Sequence, residues 1–147
     1  MNAGFLNEVA EEIFPMLNAY ALYEDKQLKL DLEPGCRVMM DEKEIRQLII
    51  NLVRNGLDAM GPGGIVTVTT RLKGPKILFQ VADQGTGIPE EILDKLGTPF
   101  VTTKKKGTGL GLAVCHAIVN RHDATIEVDS GKEGTTFSIC FPTHMGP

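Results

Sequence analysis

The chain has 147 residues, of which 42% are hydrophobic and 23% are charged, a balance typical of one globular domain. Its formal net charge of -4 at pH 7 gives it no general attraction to nucleic acid. No apolar run reaches the roughly 20 residues that cross a bilayer, and Glu8, Glu11 and Glu12 stand where a secretory leader would be basic. We therefore expect a cytoplasmic domain without membrane contact, although a longer parent protein can still be tethered to a membrane.

The cysteines are Cys36, Cys115 and Cys140, an odd number without a CxxC pair. All three stand in apolar sequence surroundings. This pattern favours buried, reduced thiols over a disulfide framework, which agrees with a cytoplasmic location.

The first elements are a helix and two strands. Apolar residues at helical spacing predict a helix over residues 5–20, which Pro15 would kink or break. Alternating leucines predict a strand over residues 26–32, and a short strand over residues 37–39 follows a Pro-Gly turn. The apolar positions of the helix are Phe5, Val9, Ile13 and Leu17.

The strongest helical pattern covers residues 41–60. Asp41 is the predicted N-cap, and Glu44 is predicted to complete a capping box. The later elements are strands over residues 65–72 and 76–82 in an antiparallel hairpin, a short helix over 90–95, a helix from about Thr108 to Arg121, and strands over 125–128 and 135–141. The sum is an α/β two-layer sandwich, with a mixed sheet of about five strands covered by three helices on one face.

Polar side chains form a stripe on the long helix. Spacings of four and three place Asn51, Asn55 and Asp58 on one helical face, with leucines on the opposite face. Taken alone, such a stripe is typical of a solvated surface. Its oxygens also suit the octahedral shell of Mg²⁺ beside a phosphate chain.

Three further segments suggest a nucleotide site. Asp83 follows a strand and precedes Gly85 and Gly87, so a carboxylate stands beside glycines that let the backbone approach a ligand closely. A DxGxG motif alone is weak evidence for a nucleotide site. Residues 107–112, GTGLGL, open a helix whose backbone N–H groups can bind phosphate. Residues 131–137 form a turn into the last strand, and a simple hairpin explains that segment equally well.

In order and spacing, these four segments resemble the N, G1, G2 and G3 boxes of the ATP-binding domain of sensor histidine kinases, with Thr98-Pro99-Phe100 as the F box. The stretch LGTPFVTTKKKGTGLGLAV is similar to the sporulation-kinase and nitrogen-regulator kinase subgroup. The resemblance runs from about residue 6 to residue 142 and implies one domain over residues 1–147. It also implies the Bergerat-type fold that this family shares with DNA gyrase, the heat-shock chaperone ATPase and mismatch-repair ATPases.

The resemblance assigns roles to particular residues. Asn55 would coordinate Mg²⁺, and Asn51 would help to hold the phosphate–metal unit. Asp83 would accept a hydrogen bond from the N6 amine of adenine, with Thr135 as a water-mediated partner. The loop that closes over the base would contain Gly85, Gly87 and Ile88.

The same resemblance implies which residues would contact the phosphates of ATP. The segment whose main-chain N–H groups face the phosphates comprises Gly107, Thr108, Gly109, Leu110 and Gly111. Lys104 would contact the terminal phosphate, whereas Lys105 and Lys106 are typical of a solvated loop. Residues 96–108 would form a mobile lid with Phe100 as its apolar latch. Val101 stands where this subgroup commonly has an aromatic residue, which leaves the packing of the lid open.

The resemblance implies a two-component kinase that presents Mg-ATP to a histidine on a separate dimerisation and phosphoacceptor domain, with a response regulator downstream. Related ATPases and serine kinases have Glu where this chain has Asn51. Glu can act as a general base, but Asn cannot take a proton. We therefore expect ATP binding and presentation, with no catalytic base in this chain. The alternatives are a nucleotide-binding regulatory module without transfer activity, and an ATPase or serine kinase of the same fold.

None of the three histidines is predicted to be the phosphate acceptor. His116 has core-like neighbours in a helix, His122 ends that helix, where a cation would favour the dipole, and His144 is in the terminal tail. Asp123-Ala124 replaces the glycine pair that usually follows this helix in the family. Because Asp tolerates the left-handed conformation of such a cap, we expect little effect on function.

Overall fold

The computed structural model describes residues 1–85, 109–131 and 134–143. In chain order the elements are β1 (Asn2–Phe5), α1 (Leu6–Tyr23), β2 (Gln27–Leu32), β3 (Arg37–Met40), α2 (Glu42–Asp58), β4 (Ile65–Lys73), β5 (Lys76–Ala82), α3 (Gly109–Arg121), β6 (Thr125–Gly131) and β7 (Gly134–Pro142). Five strands form one sheet in the order β2-β4-β5-β7-β6, and β1 pairs with β3 separately. Only β2 and β4 are parallel within the large sheet, so the predicted mixed α/β sandwich is confirmed.

The helices cover one face of the large sheet. Along β4, β5 and β7 every second side chain is buried, because successive residues of a strand face opposite sides. The apolar members of this buried face are Val66, Val68, Ile77, Phe79, Val81, Phe137, Ile139 and Phe141. α2 packs against both α1 and α3. Within the described ranges, no helix combines the length and the apolar character needed to cross a membrane.

The N-terminal segment differs from the prediction in two ways. Residues 2–5 form β1, which the sequence pattern did not predict, and Phe5 is 39% exposed instead of joining the apolar helix face. α1 also continues through Pro15 to Tyr23, so the predicted break does not occur. Pro15 lies on the exposed side, and burial of Val9 and the residues one and two turns later outweighs the missing backbone hydrogen bond.

The start of α2 confirms one half of the predicted capping box and contradicts the other. Asp41 Oδ1 accepts from the backbone N–H groups of Lys43 and Glu44 at 3.0 and 3.3 Å. The Glu44 carboxylate does not return to the Asp41 N–H, because it accepts instead from the guanidinium of Arg121 on α3. The Asp41 N–H donates to His122 Nε2 at 3.0 Å. A tertiary contact has thus replaced the local one.

The end of α3 offers a test of backbone strain. Asp123 has a φ of 53°, in agreement with the predicted left-handed cap, and the Ala124 N–H donates to Val119 O at 3.1 Å. We expect Asp123→Gly to raise the free energy of unfolding by about 0.5–1 kcal/mol, because glycine has no Cβ to strain this conformation. Urea denaturation measures the change. Asp123→Ala is the matched control and should be destabilising. If Asp123→Gly were less stable than the unaltered protein, the backbone of Asp123 would not be strained.

Candidate functional site

The polar face of α2 carries the predicted residues Asn51 and Asn55, both half-buried. Asn51 Oδ1 accepts a hydrogen bond from Gln47 Nε2 at 2.8 Å. The Asn51 amide also contacts the thiol of Cys115 on α3. Because α3 begins at Gly109, within the predicted phosphate segment, this contact joins the two elements expected to hold the phosphates.

Asp58, the third member of the stripe, is directed toward α1. Its Oδ1 accepts from the Tyr20 hydroxyl at 2.8 Å, and the Arg54 guanidinium carbon lies 4.9 Å from the centre of the Tyr20 ring. The hydrogen bond to Asp58 raises the pKa of Tyr20 above its ordinary value. This contact favours a structural role for Asp58 over one beside the metal.

Asp83 and Thr135 meet at the ends of neighbouring strands, β5 and β7. The Asp83 N–H donates to Thr135 O at 2.8 Å, and Asp83 Oδ1 accepts from the N–H groups of Gly85 at 2.8 Å and Thr135 at 3.3 Å. The Thr135 hydroxyl lies 2.8 Å from that of Ser130. The carboxylate is therefore held in one orientation by two backbone donors, as an acceptor that reads a ligand must be.

Glycines bring these elements into contact. A Cβ on Gly85 would lie 2.8 Å from Ala59 O, and one on Gly134 would lie 1.9 Å from Asp83 O. Gly134 also has a φ of 142°. The sequence reasoning included Gly85 but missed Gly134, because a hairpin turn explained that glycine equally well.

Gly56 is a second residue that the sequence reasoning missed. It lies in α2 directly after Asn55, and a Cβ there would lie 3.1 Å from Val66 Cγ2 and 3.3 Å from Asp83 Cβ. The end of α2 thus lies against Asp83, the residue that follows β5. The available signal was a glycine inside a strong helix, which costs about 1 kcal/mol relative to Ala and indicates close packing.

The structure places some predicted residues together and leaves others undescribed. Asp83, Gly85 and Thr135 are in direct contact, and Gly109, Leu110 and Gly111 form the first turn of α3. The predicted site residues that lie outside the described residues are Gly87, Ile88, Lys104, Gly107 and Thr108. The predicted lid with Phe100 and the predicted helix over residues 90–95 lie outside them too.

Comparison with known proteins identifies the family. A family model described as histidine kinase-, DNA gyrase B- and HSP90-like ATPase matches residues 40–145. The catalytic domain of the histidine kinase ThkA has the same fold, with a TM-score of 0.87 and 30% identity over 97% of this chain and 95% of that one. The chain belongs to this ATPase family as a histidine kinase catalytic domain. Membership implies ATP binding.

Full-length relatives are much longer than this kinase domain. Sporulation kinase C of Bacillus subtilis (strain 168) is 34% identical over 140 residues, which are 93% of this chain but 33% of the relative. The sensor histidine kinase ZraS of Escherichia coli (strain K12) is 39% identical over 109 residues, or 74% of this chain and 23% of ZraS. The kinase domain thus spans a third or less of the length of these relatives. Their identity confirms the expected similarity to the sporulation-kinase and nitrogen-regulator kinase subgroup.

The two histidines in the described ranges, His116 and His122, lie in different environments. His122 is buried, with Nδ1 2.8 Å from Ile118 O and Nε2 accepting from the Asp41 N–H. These contacts, one with α3 and one with the residue before α2, favour the predicted structural role of His122. His116 is exposed on α3, although its sequence neighbours are core-like, and His144 lies outside the described residues.

The cysteines are free thiols in two different environments. Cys36 and Cys115 are buried as predicted, whereas Cys140 is only half-buried. Burial raises the pKa of Cys115 to about 11, an effect that its contact with Asn51 partly opposes. The Cys115 thiol therefore keeps its proton under conditions in which an exposed cysteine is partly ionised.

These environments predict selective thiol labelling. At pH 8 we expect a disulfide reagent to modify Cys140 rapidly in the folded protein and to reach Cys115 only after unfolding. Mass spectrometry of labelled peptides gives the order of reaction. Labelling of Cys115 first, without unfolding, would contradict its burial.

The raised pKa of Cys115 also predicts how stability depends on pH. Because the unfolded thiol loses its proton from about pH 9 and folded Cys115 does so near pH 11, the free energy of unfolding should fall as the pH rises through this window.

Proposed function

We propose that this domain binds Mg-ATP and presents its γ-phosphate to a histidine on a separate dimerisation and phosphoacceptor domain. The observation that carries the proposal is the Asp83 carboxylate, which two backbone N–H groups orient beside the end of α2. A fixed carboxylate of this kind can accept from the exocyclic amine of adenine. Thr135, whose hydroxyl faces Ser130 and whose backbone holds Asp83, completes the adenine side.

The proposed metal ligand is Asn55 on α2, with Asn51 one turn earlier. The donor set fits Mg²⁺, which prefers oxygen ligands and commonly keeps waters and phosphate oxygens in its shell. Within the described ranges, no group of three His, Cys, Asp or Glu side chains is placed to hold a metal by itself. A site that shares the ion with ligand phosphates needs no such group. Bound there, Mg²⁺ would neutralise phosphate charge.

The phosphates are proposed to lie at the start of α3. Gly109, Leu110 and Gly111 are in its first turn, where backbone N–H groups have no partner within a helix and the dipole favours an anion. Gly107, Thr108 and Lys104 extend this proposed segment, and Gly87 and Ile88 extend the proposed base loop. Positioning and charge neutralisation supply most of what phosphoryl transfer requires, so no base is needed in this domain.

Partners and location are proposed from the family. The ThkA kinase, which is 27% identical over 97% of this chain and has a TM-score of 0.83, has been solved in complex with the response regulator TrrA. We propose a response regulator as the downstream partner here also. We further propose one domain over residues 1–147, facing the cytoplasm, within a parent protein that contributes the acceptor histidine.

Phosphoryl transfer tests the proposal directly. The chain is incubated with a purified dimerisation and acceptor domain, Mg²⁺ and ATP labelled in the γ-phosphate, and the acceptor is examined for acid-labile phosphohistidine. Label on that histidine is the expected result. ATP binding without any label would instead support a regulatory nucleotide-binding module. Steady hydrolysis of ATP by the chain alone would support an ATPase and contradict the argument from Asn51.

A further inference from the structure

Lys26 is a buried cation to which neither the motifs nor the proposed mechanism gives a role. Its side chain is 7% exposed, and no other lysine or arginine in the described ranges is buried. A lysine is seldom buried without a partner, because its ammonium group loses hydration. The position of this one therefore requires a specific explanation.

The Lys26 ammonium group caps the C-terminal end of α2. Nζ donates to Leu57 O at 2.6 Å, and Glu24 Oε1 lies 3.9 Å from it. The last carbonyl groups of a helix lack partners within the helix and form the negative end of its dipole. Leu57 O also accepts from the Met60 N–H at 3.3 Å, so the buried ammonium group adds a charged donor to this carbonyl and is itself stabilised by the dipole.

The lysine is also fixed in place by its backbone. The Lys26 N–H donates to Ala21 O at 2.9 Å at the end of α1, and the next residue, Gln27, donates to Gly64 O at 2.9 Å. The preceding Asp25 O accepts from the Gly63 N–H at 2.7 Å. Lys26 therefore connects three elements: the end of α1, the start of β2 and the loop that follows α2.

The turn of α2 that Lys26 caps is the turn that supports the nucleotide site. It contains Asn55 and is followed by the C-cap residue Ala59, whose carbonyl oxygen lies 2.8 Å from where a Cβ on Gly85 would stand. Immediately after it, Met60 Sδ accepts from the Gln84 N–H at 3.2 Å. A shift of this turn would move the proposed metal ligand and the support of the Asp83–Gly85 loop together.

We propose that Lys26 is a positioning residue for the nucleotide site, which holds the last turn of α2 so that Asn55 and the Asp83–Gly85 loop keep their relative placement. This inference rests on the proposed function, because it assumes that these residues bind Mg-ATP. Lys26 itself touches neither nucleotide nor metal in this proposal. Its effect passes through Leu57 O and the turn that follows.

The test compares Lys26→Met with Lys26→Arg and with Tyr20→Phe. Methionine keeps the apolar stem but removes the donor, and arginine restores a cationic donor. Tyr20→Phe removes the exposed hydrogen bond to Asp58 at the same end of α2, so it is the matched control. Calorimetry with Mg-ATP measures affinity, and urea denaturation shows that each variant is folded at the temperature used.

We expect Lys26→Met to weaken Mg-ATP binding by about tenfold, the lower end of what losing a supporting partner of a metal ligand costs. Lys26→Arg should recover most of the affinity, and Tyr20→Phe should match the unaltered protein. Unchanged affinity in folded Lys26→Met, or an equal loss in Tyr20→Phe, would overturn the proposal. If the unaltered protein fails to bind Mg-ATP, the proposed function fails instead, so the two failures are distinguishable.

A second measurement keeps the inference testable if Lys26→Met does not fold. Backbone amide shifts of Lys26→Gln, a milder change that shortens the side chain and removes its charge while keeping an N–H donor, are compared with those of the unaltered protein by NMR. Positioning predicts changes at Asn55, Gly56 and Gly85, beyond the immediate neighbours of the substitution. Changes confined to residues 24–27 and to Leu57 would show that the cap does not reach the site, and would overturn the proposal.

Discussion

Asp83→Asn is expected to lower ATP affinity by about 100-fold while leaving the fold intact, since an unsatisfied buried polar contact costs about 1–3 kcal/mol. The amide keeps one oxygen, which can still accept from the N–H groups of Gly85 and Thr135. The other oxygen becomes an NH₂ group, which donates. A donor facing the N6 amine of adenine makes no hydrogen bond.

The same exchange predicts a change of base preference. A nucleotide with a carbonyl at the 6-position, such as ITP, presents an acceptor to the new NH₂ group. The variant should therefore bind ITP better than ATP, whereas the unaltered domain should show the reverse preference. Calorimetric titration with both nucleotides gives the ratio, and urea denaturation should show stability within about 0.5 kcal/mol. Equal weakening for both nucleotides would show that Asp83 does not read the base.

Asn55→Ala is expected to abolish the contribution of Mg²⁺ to nucleotide affinity. In the unaltered domain, ATP should bind more tightly with Mg²⁺ than with a chelator. Removing the amide oxygen takes away the one protein ligand proposed for the ion, so the two affinities should converge, with a loss of about 100-fold in the presence of metal. Parallel titrations in Mg²⁺ and in chelator measure the difference.

Asp58→Ala is the matched control for this variant. Asp58 is on the same face of α2, but its carboxylate accepts from Tyr20. It should keep the full response to Mg²⁺ and lose at most about 1 kcal/mol of stability, as for an exposed hydrogen bond. If Asp58→Ala lost the response and Asn55→Ala kept it, the proposed metal ligand would be wrong.

The sequence pattern predicted the large elements well because their signals are local. Leu48, Leu52 and Leu57 repeat at helical spacing in α2, and all three are buried. Asp41 was identified as the N-cap from its position alone, and its side chain accepts from the first turn. The left-handed Asp123 also followed from a local departure from the family pattern.

The errors occur where a distant partner competes with a local one. β1 has only four residues and pairs with β3, so its sequence alone carried no strand pattern that could be recognised. Glu44 has a helix-start position suited to a capping box, yet its carboxylate accepts hydrogen bonds from Arg121 instead of from the Asp41 N–H. In each case a partner more than 30 residues away decided the outcome.

For a histidine kinase catalytic domain, the sequence determined the family and, through the resemblance, which side chains are expected to carry the chemistry. The roles of Asn51, Asn55, Asp83 and Thr135, and the use of Asn51 to favour ATP presentation over hydrolysis, stay predictions. Only the tertiary structure decided how they are held: Asp83 between Gly85 and Thr135, Asn51 beside Cys115, and the turn after Asn55 capped by Lys26. The physical reason is that a residue's type sets what it can bind, whereas its orientation depends on backbone groups that the fold brings from elsewhere in the chain.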